Sequence, residues 1–506
     1  MPAHSSPLHF AASLRQIEAR FADQPLMERA GAAAAGLCRE LLGNCPGPVL
    51  LLAGPGNNGG DALVAARLLS EQGIDCCVVF AGDAARLPAD AAAAHARFAA
   101  AGGTLHGHFP AQASGHRWAL IVDGLLGIGL TRAPEGRISE LIVAANRLAQ
   151  TDGCPLLALD CPSGLLADTG GTPGHVIRAS HTLSFIAGKP GLWTANGPDC
   201  CGEIRIADLD LPGLPELPAD GHLIDLSDFA QRLQPRRANT HKGSFGSAGV
   251  LGGGKAMVGA ALLTARAALH LGAGRVYVGL LDPEAPSVDL QQPELMLRRP
   301  EHLLQADLQA LACGPGLGTS GDAARMLEQA LKCPLPLVLD ADALNLLASD
   351  SRLAGHLCNR VAPAILTPHP AEAARLLECS TREIQENRIA AANELVRRYG
   401  CQVVLKGCGS VVATVDGRWW INSTGNPGLA TAGSGDVLSG LILALLAQGW
   451  RVHEALLAGV HLHGAAADWL VGEGCGPVGL TAGELIPAAR RLLNCWLQAP
   501  WRTGKV

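Results

Sequence analysis

Short apolar runs and amphipathic stretches alternate along the first half of the chain. The segment 14–42 has helical spacing, with Leu26, Met27, Ala30 and Ala34 on one face. Apolar runs at 49–53, 76–81, 120–123 and 155–160 predict strands, and stretches at 61–72, 89–101 and 138–149 predict helices. Two further strands are expected at 181–186 and 202–206. Unbroken apolar strands alternating with helices belong to a parallel sheet covered on both faces, because each strand is buried on both sides.

The alternation restarts in the second half. Strands are expected at 248–251, 275–280, 311–313, 337–339, 364–366 and 403–405, and helices at 258–271 and 437–448. The runs 411–415 and 418–421, joined at Asp416-Gly417, predict a hairpin. In it, Trp419 and Trp420 are expected to pack. Between the halves lie Leu211-Pro212-Gly213-Leu214-Pro215-Glu216-Leu217-Pro218 and Gln234-Pro235-Arg236-Arg237, which cannot sit in a sheet interior. The expected organisation is an amino domain over 1–215, a proline-rich linker over 216–238 and a carboxyl domain over 239–506. No motif recurs between the halves, so no internal repeat is assigned.

Composition narrows the class. Of 506 residues, 48% are apolar and 62 are glycine, which excludes a disordered chain. A net charge of −6 argues against sequence-independent nucleic-acid binding, which needs a basic face. Residues 1–20 lack the apolar core of a signal peptide, and no apolar run reaches membrane-spanning length. The expectation is a cytoplasmic protein with no nucleic-acid or membrane partner. The 16 cysteines form no C-x-x-C pair, so they read as small core residues in a reducing compartment. His461 and His463 lie in a helical stretch and read as packed polar residues.

The candidate chemistry sits after strands. Gly54, Gly56 and Gly59 spell G-x-G-x-x-G and lead towards a helix. Alone this is a weak dinucleotide signal, and Asp83 could serve as its ribose acid, which leaves a dehydrogenase open. However, Asn57, Asn58, Gly59, Gly60 and Asp61 put two amides and a carboxylate where a pyrophosphate would lie. Asp123 and Ser163 lie at two other strand ends, so Asn58, Asp123 and Ser163 offer oxygen ligands suited to a hard cation. Asp61 alone also suits an N-cap, and Asp160 alone suits a turn before Pro162. In the second half, Gly433-Ser434-Gly435-Asp436 combines an anion hole with a carboxylate at a helix start, a pattern of small-molecule kinases. Lys406-Gly407-Cys408-Gly409-Ser410 suits an anionic nucleotide. No Walker-type loop is present. A kinase fused to a dehydrogenase and a non-catalytic nucleotide sensor are the competing readings.

Taken together, Leu26-Met27-Glu28-Arg29-Ala30-Gly31, the Asn-Asn-Gly-Gly-Asp turn, 123–129, 160–164 and Lys189-Pro190-Gly191-Leu192 resemble the NAD(P)H-hydrate epimerase domain over roughly residues 10–210. The resemblance implies a Rossmann-like three-layer fold, K⁺ held by Asn58, Asp123 and Ser163, and Asp160 as acid/base. It also implies substrate contacts from Asn57, Asn58, Gly59, Gly60, Asp61 and Asp160. Gly127, Ile128, Gly129, Leu130, Thr131, Arg132 and Ala133 are implied to join them. Ala62 departs from the family, which often has glycine there.

The order of His241-Lys242-Gly243, Gly252-Gly253-Gly254, 314–318, Asp340-Ala341-Asp342, 367–372, 406–410 and 433–436 is similar to the ADP-dependent NAD(P)H-hydrate dehydratase domain, which is ribokinase-like. This likeness spans roughly residues 235–495. It implies that Ala260, Gly316, His369 and Asp436 contact the hydrated nucleotide, with Asp436 as catalytic base. Lys406, Gly407, Cys408, Gly409, Ser410 and Gly435 are implied to contact ADP, with Mg²⁺ bridging its phosphates. Ala371, Ser410 and Ser434 are departures from the commoner residues, and both serines keep a hydroxyl. The expected enzyme is a bifunctional epimerase and dehydratase acting on hydrated NADH and NADPH, as a homo-oligomer.

Overall fold

The computed structural model describes residues 6–43, 45, 47–109, 117–214 and 217–498. The chain divides into two compact units, 7–221 and 1–6 with 222–506. Among the described residues no helix is long and apolar enough to cross a membrane.

In the amino unit, seven strands form one parallel sheet. Their order is Leu105–His106, Cys76–Phe80, Val49–Ala53, Leu120–Gly124, Leu156–Leu159, His181–Phe185 and Glu203–Ala207. All five residues of Val49–Ala53 are buried. Side chains alternate between faces along a strand, so Val49, Leu51 and Ala53 join one core and Leu50 and Leu52 the other. The first core is covered by helices Leu26–Leu42, Asn57–Glu71 and Ala89–Ala100, the second by Gly136–Asp152. The direction of winding reverses between Val49–Ala53 and Leu120–Gly124, which opens a crevice at their carboxyl ends.

Two helical expectations need correction. The segment 14–42 is two helices, Ala11–Arg20 and Leu26–Leu42, because Pro25 cannot continue the first and starts the second. The glycine-rich turn is itself helical: the helix runs Asn57–Glu71 with Gly56 as N-cap, so Asp61 is not a cap. Packing overrides the low helix propensity of Gly59 and Gly60. A Cβ on Gly59 would lie 2.1 Å from the Gly54 carbonyl oxygen, and one on Gly54 would lie 1.8 Å from that of Leu125. These two glycines let loop and helix close together. The short edge strands Leu105–His106 and Met296–Arg298 carry no apolar run that predicts them.

In the carboxyl unit the strands Gln402–Leu405, Ala364–Leu366, Leu337–Leu339, Ala310–Cys313, Ser247–Gly252, Arg275–Leu280 and Met296–Arg298 are parallel neighbours in that order. The antiparallel pair Val411–Ala413 and Trp419–Ile421 extends the first edge, with Trp419 and Trp420 each 4% exposed. One face is covered by Val258–His270, Ser434–Ala447, Val452–Gly472 and Ala482–Gln498. Gly321–Lys332 and Arg388–Tyr399 pack against other strands of the sheet. The winding reverses between Ala310–Cys313 and Ser247–Gly252. There the two glycine turns are laced together, Gly253 N–H to Pro315 O at 3.0 Å and Gly254 N–H to Gly316 O at 2.6 Å.

Candidate active sites

A cavity of about 950 Å³ opens in the crevice of the amino unit. Asn57, Asn58 and Asp61 line it from the first two turns of their helix, Gly127, Ile128, Gly129, Leu130, Thr131 and Arg132 from a loop, and Asp160 from a strand end. Gly59, Gly60 and Ala133 do not line it. A Cβ on Gly60 would press on Met27 at 2.7 Å, and Ala133 neighbours Gly174. Asp83 caps the 3₁₀ turn Ala84–Arg86 and does not line the cavity.

Asp160 stands in the left-handed region, φ 64°, as does Ile186 at the next strand end, φ 68°. Such backbone is costly for residues other than glycine and gathers at working sites. Asp160 Oδ1 accepts from Lys189 Nζ at 2.5 Å, and Oδ2 accepts from Ile128 N–H at 3.3 Å. The buried Lys189 also donates to Ser184 Oγ at 2.8 Å and to Phe185 O at 2.9 Å. Burial, then the neighbouring Asp160 and Glu18, push the Asp61 carboxyl well above the usual range. Glu18 lines the cavity too, and its own pKa is raised by burial. Lys189 figures in the sequence reading only within a motif, and Glu18 is not singled out there at all. An amphipathic helix gives no sign of which cavity its polar residues meet.

Asp123 and Ser163 lie under the cavity rather than on its wall. Asp123 is fully buried, and burial raises its pKa to about 6 against the hydrogen bonds of Ser163 and Leu125. Ser163 donates to it from Oγ at 2.7 Å and from N–H at 2.8 Å. The Leu126 carbonyl accepts from Ser163 Oγ at 3.2 Å and from Asn58 Nδ2 at 2.8 Å, so the three oxygen-bearing side chains converge on one loop. Asn58 Oδ1 is buried without a hydrogen-bond partner.

The carboxyl rim gathers a second set. Asp340, at the end of its strand, accepts from Lys406 Nζ at 2.8 Å and from Ser439 Oγ at 2.7 Å. Burial opposes the Lys406 ammonium, but Asp340, Glu372 and Asp436 outweigh it and hold its pKa above the ordinary value. Asp436 lies in the first turn of Ser434–Ala447. Burial, then Asp340, raise its pKa to about 7, with Lys406 pulling the other way. Thr264 Oγ1 donates to Asp436 O at 3.0 Å and to Ala260 O at 3.1 Å, which ties Ala260 to Asp436. Gly316 adjoins Ala260: a Cβ there would lie 3.2 Å from Ala260 Cβ. His369 Nδ1 accepts from Ala371 N–H at 3.1 Å, and burial and Lys406 lower its pKa.

Lys406 points inward. Behind Gly407, Arg388 donates to the carbonyls of Leu405 at 3.1 Å and Lys406 at 3.2 Å. Ser410 Oγ closes the loop on Gly407 O at 3.1 Å, and Cys408 at its tip is exposed. A Cβ on Gly435 would lie 3.1 Å from Lys406 Nζ, so that helix start and the ammonium share one space. His463 packs as a buried, neutral residue, its pKa lowered to about 4 by burial.

Each unit thus sets carboxylates and a lysine at the carboxyl rim of a parallel sheet, which defines an α/β enzyme with two active sites. A family model described as YjeF-related protein N-terminus matches residues 23–191, and one described as NAD(P)H-hydrate dehydratase matches 248–486. The chain is 40% identical to the bifunctional NAD(P)H-hydrate repair enzyme Nnr of Escherichia coli, over 93% of this chain and 89% of that one. Its identity with the enzyme of that name from Coxiella burnetii is 39%, over 94% and 96%. It is also similar to a solved ADP/ATP-dependent NAD(P)H-hydrate dehydratase from Bacillus subtilis co-crystallised with ATP/Mg²⁺, at 32% identity over 53% of this chain and 97% of that one, TM-score 0.47. The chain belongs to the family of bifunctional NAD(P)H-hydrate repair enzymes. Its halves are a Rossmann-like epimerase domain and an α/β dehydratase domain.

Proposed function

We propose that the amino cavity takes the hydrated nicotinamide nucleotide and interconverts its R and S epimers through proton transfer at Asp160. The observation that carries this reading is the Asp160 carboxylate itself, on the cavity wall, fixed by a buried lysine at a strained strand end. Lys189 orients the carboxylate. Ile128 N–H fixes the second oxygen.

The residues beneath the cavity suit K⁺. Asn58 Oδ1 is a buried acceptor without a donor, and Asp123 is a buried carboxylate with no cationic side chain within 4.0 Å among the described residues. A monovalent cation held by Asn58, Asp123 and Ser163 satisfies the first and neutralises the second. It would act on the fold of the cavity floor and on the position of the Asn57–Glu71 helix.

The carboxyl rim suits an anionic nucleotide, here ADP with Mg²⁺ on its phosphates, and dehydrates the S epimer. The start of a 14-residue helix and the Lys406 ammonium face one space, where a Cβ at 435 would lie 3.1 Å from the ammonium. When bound, the nucleotide supplies the phosphoryl chemistry that turns the added hydroxyl into a leaving group. Asp436 takes the proton of that hydroxyl, and its raised pKa matches a base working near neutral pH. Asp340 and Ser439 hold Lys406 where it attracts phosphate.

The test is incubation of the pure protein with each hydrate epimer, with and without ADP. Exchange of epimers without ADP, and loss of the S epimer only with ADP, are expected. Unchanged ADP-dependent turnover by Asp436→Asn would exclude Asp436 as the base.

A further inference from the structure

Four cationic side chains line the amino cavity: Arg15, Arg97, Arg132 and Lys189. Two of them are engaged. Lys189 lies 2.5 Å from Asp160, and Arg97 lies 2.9 Å from Glu28. Arg15 and Arg132 are exposed, and neither has a carboxylate within 4.0 Å among the described residues. They flank one loop. Arg15 reaches it from the helix Ala11–Arg20, where a Cβ on Gly129 would lie 4.0 Å from Arg15 Nη2. Arg132 closes the same loop three residues later. The rest of the charged lining is Glu18, Glu28, Asp61, Asp90 and Asp160. The carboxylates of this lining repel phosphate, so apart from the start of the Asn57–Glu71 helix the two unengaged arginines are its attractive points. Arginine is also the side chain whose planar fork best matches phosphate oxygens.

We infer that Arg15 and Arg132 form a two-sided clamp for a phosphate group of the hydrated dinucleotide. The inference rests on the reading of this cavity as the epimerisation site and adds a binding residue from outside the matched family model, which begins at residue 23. The helix Ala11–Arg20 is therefore a wall of the active site, and it sets how the nucleotide tail lies while the ring reaches Asp160. The clamp acts on binding and not on the reacting carbon.

The experiment is steady-state epimerisation by the full chain carrying Arg15→Ala, Arg15→Lys or Arg132→Ala. The KM of each alanine variant is expected to rise on the order of tenfold at low salt with kcat unchanged, the usual size of a charge-assisted hydrogen bond. Arg15→Lys is expected to recover part of the loss. Running both hydrates separates two sources of phosphate. Equal rises for hydrated NADH and hydrated NADPH place the pyrophosphate in the clamp, and a rise confined to hydrated NADPH places the 2′-phosphate there. An unchanged epimerisation kcat reports that the amino unit of each variant is folded. Unchanged KM for both hydrates, or a fall in kcat alone, would overturn the clamp. An Asp160→Asn chain that epimerises at full rate would instead remove the site reading, and the clamp with it.

Discussion

The two rims use the same pair of residue types in opposite ways. In the amino unit the lysine pairs with the very aspartate that faces the cavity: Lys189 sits 2.5 Å from Asp160. In the carboxyl unit the lysine is spent on a different carboxylate. Lys406 lies 2.8 Å from Asp340, and Asp436 is left with a pKa raised to about 7. Burial is the largest cause of the raised Asp436 pKa, Asp340 adds to it, and Lys406 only partly offsets them. Asp61 supplies a raised carboxyl on the amino side, through burial. One rim thus pairs a lysine-held carboxylate with a separate buried acid, while the other holds its lysine on a carboxylate other than the proposed base.

Substitutions and a change of cation put this contrast to the test. The largest effects belong to the proposed acid/base groups. Asp436→Asn is expected to cost on the order of 10³-fold in ADP-dependent dehydration and leave epimer exchange intact. Asp160→Asn should do the reverse, by a similar factor, with both activities measured on the same sample. Next is the cation. Replacing K⁺ by a bulky organic cation is expected to slow epimerisation on the order of tenfold, with recovery on adding K⁺ back and no change in dehydration. A smaller, diagnostic effect lies in the pH profile. Dehydration kcat/KM should fall about tenfold per pH unit below about pH 7, as Asp436 takes up its proton. Lys406 lowers the Asp436 pKa, so Lys406→Met should move that acid limb to higher pH. A limb that does not move would show that Lys406 does not tune Asp436.

The smallest effect is on stability. The folded chain holds the Asp436 proton up to about pH 7, whereas an unfolded aspartate loses it near the ordinary value of 3.8. Its charge therefore costs stability progressively between those values and in full above pH 7. Asp436→Asn is expected to raise Tm by a few degrees at pH 8, about 1 kcal/mol or more, and to give no gain near pH 4. Thermal melts at the two pH values check it.

Much of this was legible before any coordinates. The strands Arg275–Leu280, Leu337–Leu339 and Ala364–Leu366 fall where continuous apolar runs predict them, because strands buried on both faces leave no polar position to blur the signal. The motifs at strand ends could be placed at one sheet edge for the same reason. Helix starts were less legible. Gly59 and Gly60 argue locally for a turn, and the close packing of Gly59 on Gly54 that makes them helical is a tertiary fact. Partnerships were not legible at all. Nothing in the spacing of Asp340, Lys406 and Ser439 says that they meet, since the contacts span 66 and 99 residues. Glu18 and Arg15 were hidden because an exposed polar face of a helix looks the same whether it meets solvent or a ligand.

The left-handed backbone at Asp160, Ile186 and Ala341 has a practical consequence for anyone engineering this chain. A search for sturdier variants would pick out these positions first, because glycine relaxes a positive φ at no steric cost. Two of them border the epimerase cavity and the third adjoins Asp340. Screens for heat tolerance and screens for turnover should therefore select opposite residues there, and a thermostabilised descendant will need its gains drawn from elsewhere in the molecule.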